Sequence, residues 1–216
     1  MDWNPITHYQ DVAIAERYDR ERFSSWTGKA FDALEKTYIA RAFARFPRTS
    51  RIVDVPCGTG RIAEVLLDMG FQVEGVDISQ PMLYVAQRKL ARFGDRFKPV
   101  VADVRDYGRS MQKQFDIALC ARVLMHFPLA EQIEFLRSVA MLARKGVVLT
   151  QSLSTPYHRS RRRLKRVIGN PPSATYPITN AELGTLLEGA GLRESRRLRP
   201  SRLVTEEIIV VAEPIA

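Results

Sequence analysis

Two glycines, Gly58 and Gly60, interrupt the chain directly after the apolar run Arg51–Val55. Glycines between a buried strand and a helix let the backbone approach a ligand closely and aim the helix N-terminus at it. Asp77 ends a second apolar run, where a carboxylate can accept hydrogen bonds from both hydroxyls of a ribose. Gly58 to Ala63 also fits the dinucleotide fingerprint Gly-x-Gly-x-x-Ala. Asp54 argues for a different ligand. It ends the first strand, beside the place a pyrophosphate would take, and a carboxylate there repels phosphate and attracts a cation. Asp103, closing a third apolar run, is placed to accept a hydrogen bond from an adenine amino group. Acids at three successive strand ends suit an adenosine ligand that carries an ammonium and a sulfonium, as S-adenosylmethionine does.

Strands and helices alternate around these residues. Arg51–Val55, Phe71–Asp77, Phe97–Ala102, Phe115–Cys120 and Gly146–Thr150 read as strands with apolar centres. Ile62, Val65, Leu66 and Met69 share one helical face, Ser79 caps a helix through Leu90, and Leu129–Leu142 carries Ile133, Leu136 and Ala140 on one side. Thr179 caps a last helix through Glu188, ahead of two strands near Leu192–Leu198 and Leu203–Val211. Apolar strands separated by helices require a sheet covered on both faces. The last two strands are too close for a crossover helix and must pair as an antiparallel hairpin. The expected fold is α/β: a Rossmann-like, mostly parallel, seven-stranded sheet closing on a C-terminal hairpin. It forms a single domain over residues 1–216, with a helical cap (1–48), a nucleoside-binding core (50–152), a basic insert (153–178) and a C-terminal helix and hairpin (179–216).

The ordered segments resemble the motifs of class I S-adenosylmethionine-dependent methyltransferases, of the type that acts on small molecules. IVDVPCGTGR is similar to the first motif, VEGVDISQPML to the second, VVADVRD to the third, and FDIALCARVLMHFP to the fourth strand with its following turn. The resemblance covers about residues 50–150. It implies a cofactor set of Asp54, Cys57, Gly58, Thr59, Gly60, Asp77, Ile78, Met82, Asp103, Val104 and Cys120, with S-adenosylhomocysteine as product. Pro56 stands where the family has glycine, so a backbone donor is missing there. The leading Tyr18-Asp19, Arg22-Phe23 and Gly28 resemble the family's N-terminal helices, which implies that Tyr18 lines the pocket and Arg22 pairs with the methionine carboxylate.

On the acceptor side, His126 follows the fourth strand and is the candidate general base for an acceptor that begins as a hydroxyl. Arg122, Tyr157 and Arg161 are the candidate acceptor contacts. The chain holds 26 Arg and 7 Lys against 24 acids, a net charge of +9. Residues 153–202 carry 11 bases and 3 acids, whereas residues 1–152 are nearly balanced at 22 and 18. Tyr157 to Ile168 reads as a helix with a basic face, and the family resemblance implies that this insert covers the acceptor pocket, where its arginines suit bidentate contacts with phosphate or carboxylate. The expected partner is a small or lipid-linked, anionic acceptor, with peripheral membrane or acyl carrier protein contact open and nucleic acid ranked lower. His8, His126 and His158 have no metal-ligand spacing, and two cysteines build neither a zinc site nor a disulfide framework. Asn170-Pro171-Pro172-Ser173 lies after the fifth strand rather than the fourth and reads as a rigid loop. No apolar run reaches the length of a membrane span and no leader is apparent, so a cytoplasmic place is expected, with the inner membrane face as a variant. A nicotinamide-dependent oxidoreductase and a non-catalytic protein that binds the cofactor or an anion are the alternatives.

Overall fold

The computed structural model describes residues 10–157, 159–160, 163, 175–201 and 205–215. Seven strands form one sheet in the order β3-β2-β1-β4-β5-β7-β6. They are β1 (Arg51–Asp54), β2 (Gln72–Asp77), β3 (Phe97–Val101), β4 (Phe115–Cys120), β5 (Ala143–Ser152), β6 (Leu192–Leu198) and β7 (Glu207–Pro214). The first five run parallel; β7 lies antiparallel between β5 and β6, so the C-terminal hairpin closes one edge. The chain steps outward from β1 through β2 to β3 and then returns to β4 on its other side. That reversal is the switch point at which open α/β sheets bind ligands, at the carboxyl ends of the strands.

Alternate side chains leave each strand for opposite faces. Ile52, Val73, Ile117, Leu119 and Val148 pack with α2 (Trp26–Phe43), α3 (Arg61–Asp68) and α4 (Gln80–Leu90). Val53, Val76, Ala118, Cys120 and Val147 pack on the other face with α5 (Val104–Ser110), α6 (Leu129–Leu142) and α7 (Asn180–Gly189). Ahead of these, α1 (Val12–Arg22) is capped by Asp11, whose carboxylate accepts the N–H groups of Ala13 and Ile14. Ser79 caps α4, and Thr179 forms a capping box with Glu182 at α7. No helix among the described residues is long and apolar enough to cross a membrane.

Several strand boundaries differ from the sequence reading. β3 stops at Val101, and Asp103 instead caps α5, a helix whose polar residues and internal Gly108 hide its period. β5 begins at Ala143 because Arg144 and Lys145, at the rim, both pair with Asp116 of β4. β7 runs from Glu207 to Pro214; its expected start at Leu203 lies outside the described residues.

Candidate functional site

Gly60 takes φ 72° at the start of α3, and α4 passes so close that a Cβ there would sit 2.7 Å from Leu90 Cδ1 and 3.1 Å from Ala86 Cβ. Only glycine supplies both the left-handed backbone and the clearance. The turn before it is fastened to the sheet: Cys57 N–H donates to the Val76 carbonyl, and Gly58 N–H donates to Asp77 Oδ2 at 2.7 Å. Asp77 Oδ1 meanwhile accepts the Ser79 N–H at 2.8 Å. Burial raises the Asp77 carboxyl, against the pull of these amides. One carboxylate thus sets the glycine turn against the start of α4, and each oxygen keeps a lone pair for a ligand.

The cavity at this switch point is walled by the carboxyl ends of β1, β2 and β4 and by the residues that follow β3. Asp54, Cys57, Gly58, Thr59, Asp77, Ile78, Met82, Asp103, Val104 and Tyr18 all line it. Asp54 is 1% exposed, and its Oδ1 meets no hydrogen-bond partner among the described residues. Burial first, and then the charge of Asp77, push its carboxyl up to about 8, against contacts from Cys57 and the Ala63 backbone. The same burial raises the Cys57 thiol and makes it a packed group rather than a nucleophile. Gly60 is part of the turn but not of the wall. Cys120, expected among the cofactor contacts, sits fully buried in the core beneath, and the neighbouring Ala121 takes the place in the wall.

The far end of the cavity is built by the turn after β4, where Arg122, Val123, His126 and Phe127 line it together with Phe135 of α6. Phe127 and Phe135 stack at 5.8 Å. Gln132, fully buried, holds this turn by donating to the Phe127 carbonyl at 2.7 Å and to the Tyr176 carbonyl at 3.2 Å. Tyr176 N–H donates in turn to the Met125 carbonyl, and Leu153 bridges Ile178. Both ends of the basic insert therefore adjoin this mouth. Burial, followed by the charges of Arg122 and Arg22, lowers His126 to about 4, so its imidazole is neutral at pH 7. Arg22 is exposed and outside the wall; its charge bears on the acceptor end, whereas the methionine carboxylate was its expected partner. Tyr157 is half exposed and likewise not in the wall. Arg161, His8, His158 and Asn170 to Ser173 lie outside the described residues.

Arg61, which the sequence reading left without a role, lines the cavity from the first turn of α3. It is paired with Asp32 and, at 2.6 Å, with Glu35, under the ring of Phe23. Asp19 of α1 reaches the glycine turn, accepting from Thr59 Oγ1 at 2.8 Å and pairing with Lys89 at 3.0 Å. Asp19 and Phe23 of the leading segment thus tether α1 to the glycine turn and the start of α3.

Residues 52–146 match the family model described as methyltransferase domain. Residues 52–146 are thus similar to methyltransferase domains. A ubiquinone biosynthesis O-methyltransferase of Aeromonas salmonicida is 28% identical over 152 residues, covering 66% of this chain and 62% of that protein. The chloroplastic magnesium protoporphyrin IX methyltransferase of Arabidopsis thaliana is 29% identical over 149 residues, covering 68% of this chain and 47% of that one. The chain thus spans less than two thirds of either relative. The structure of magnesium protoporphyrin IX methyltransferase from Synechocystis, determined with bound S-adenosylhomocysteine, superposes with TM-score 0.76 at 21% identity, over 97% of this chain and 99% of that one. This likeness extends over the whole expected fold, the C-terminal hairpin included.

Proposed function

We propose that the chain is an S-adenosylmethionine-dependent methyltransferase acting on oxygen or nitrogen of a small, anionic acceptor. The carrying observation is Asp54, a buried carboxyl in the cavity wall with an oxygen that has no hydrogen-bond partner among the described residues, in a wall that also carries the acids Asp77 and Asp103. Such an oxygen fits an ammonium or sulfonium and not a pyrophosphate. In this reading Asp77 receives the ribose hydroxyls, Asp103 and Val104 border the adenine and Met82 packs under it. Tyr18 and the glycine turn close over the rest. S-adenosylmethionine, when bound, supplies a methyl group already activated on sulfur. The protein's part is to place the acceptor in line and keep water out, which the Phe127–Phe135 stack favours.

An oxygen acceptor is favoured by the relatives named as O-methyltransferases. Its hydroxyl proton goes to the neutral imidazole of His126 as the new C–O bond forms. Burial, and after it the charges of Arg122 and Arg22, hold that imidazole low; an anionic group on the acceptor, set against these two arginines, offsets their charges and makes His126 a stronger base. A lipid tail on the acceptor, and contact of the basic insert with a membrane or carrier protein, belong to the same proposal.

Methyl-labelled cofactor incubated with hydroxy-aromatic acids and their neutral amides tests this reading. Labelled product is expected from the acids, and His126→Ala should lower the rate by about a hundredfold while leaving S-adenosylhomocysteine affinity unchanged. Transfer only to the amides, or an unaltered rate in the variant, would overturn the acceptor assignment.

A further inference from the structure

Behind the acceptor end of the cavity lies a charge cluster drawn from four distant segments. Arg122 takes φ 59°, in the left-handed region, and its N–H donates to Thr150 Oγ1 at 2.8 Å. Its guanidinium lies over the Phe31 ring and turns Nη1 toward Glu207 at 3.3 Å and Glu35 at 3.8 Å. Glu35, on α2, is 1% exposed and already holds Arg61. Glu207, the first residue of β7, is 6% exposed.

The two buried carboxyls converge on the one Arg122 nitrogen. Each has an oxygen, Glu35 Oε1 and Glu207 Oε1, that finds no hydrogen-bond donor among the described residues. Two carboxylates buried around one guanidinium repel each other, which favours keeping one proton between them. We propose that Glu35 and Glu207 are a proton-sharing pair that positions Arg122 and sets how much of its positive charge reaches the acceptor end of the cavity.

The neighbouring charges give the pair its effect. Asp32, Glu35 and Lys36 come from α2, Arg61 from α3, Arg122 from the turn after β4 and Glu207 from β7. With the shared proton present, Arg61, Arg122 and Lys36 exceed Asp32 and Glu35 by one positive charge. Without it, the cluster is neutral. Burial and the adjoining Glu35 raise Glu207, while Arg122 and Arg61 oppose them, so the folded protein favours the proton-bearing form. The charges of Arg122 and Arg22 both bear on His126, which lines the acceptor end of the cavity. An anion there is bound best while the pair keeps its proton, and loses affinity as pH rises and the proton leaves. The methyltransferase reading enters only in what the anion is: the acceptor.

The test needs no cofactor. His126 ring resonances, identified by their loss in His126→Ala, report the field of Arg122 during an NMR titration from about pH 6 to about pH 10. The wild type should show a second step on the alkaline side, well above the pH at which His126 itself titrates. Glu207→Gln keeps the size of the side chain and cannot ionise, so that step should vanish. Benzoate, used as a plain carboxylate probe, should weaken by about tenfold across the same range in the wild type and stay constant in the variant. Should Glu207→Gln fail to fold, Glu35→Gln, which leaves a single carboxyl, should remove the same step. A wild type without the step, or a step that persists in the folded variants, overturns the pair. A step accompanied by no binding of S-adenosylhomocysteine leaves the pair standing and refutes the methyltransferase reading instead.

Discussion

Asp54 and Asp77 are both acids buried at adjoining strand ends, yet their surroundings divide them. Asp77 is held by two amide N–H groups, whereas Asp54 has an oxygen with no partner and retains a proton up to about pH 8. A cation favours the carboxylate form, so binding expels that proton and affinity climbs with pH until Asp54 is already ionised in the free protein. S-adenosylmethionine affinity should therefore rise by up to about tenfold per pH unit below pH 8 and level off above it. Asp54→Asn should abolish the slope, and 5′-methylthioadenosine, which carries neither ammonium nor sulfonium, should show none. Calorimetry in buffers of different ionisation enthalpy measures the released proton directly; equal slopes for wild type and variant would contradict the assignment. At this scale Asp54, Asp77 and Met82 were legible because strand, glycine turn, helix and acid follow one another locally. Glu35, Arg61, Arg122 and Glu207 meet only after the sheet and its flanking helices have assembled, and no spacing in the chain announces that meeting.

Among the elements, the glycine turn between β1 and α3 carries the tightest steric condition. Gly60→Ala forces a left-handed alanine against Ala86 and Leu90, and should cost about 1–3 kcal/mol in urea unfolding. Gly58→Ala, equally left-handed but with open space at its Cβ, should cost less; equal losses would mean that α4 yields freely. The helices α3, α4 and α6 were readable from apolar period and capping residues. Helix α5 was not, because Asp103 had been given to a strand end, although Asp103 followed by Asp106 in the first turn is a usable cap signal. The capping helices were readable only as a resemblance. What they do locally, through Asp19 on Thr59 and Phe23 on Arg61, depends on a cross-chain fit that periodicity does not report.

For the whole molecule, the net charge of +9 is unevenly distributed. The wall of the cavity nearest the glycine turn is acidic, the turn after β4 brings Arg122 and His126, and the ends of the basic insert adjoin that turn. In the proposed reading, the end of the cavity lined by Asp54, Asp77 and Asp103 takes the cationic nucleoside and the end lined by Arg122 takes the anion. The parallel sheet and its antiparallel edge followed from apolar runs and loop lengths, which are global constraints a sequence carries plainly; the insert that would choose the acceptor has no such constraint. The central claim is the cationic nucleoside. Titrating S-adenosylmethionine and S-adenosylhomocysteine into the folded wild type and into Asp77→Ala, followed by calorimetry, tests it most directly. Both ligands should bind the wild type at one site, and the variant should bind each about 10- to 100-fold more weakly, the loss of charge-assisted hydrogen bonds to a buried carboxylate. Absence of binding to the folded wild type, or undiminished binding to Asp77→Ala, would contradict it.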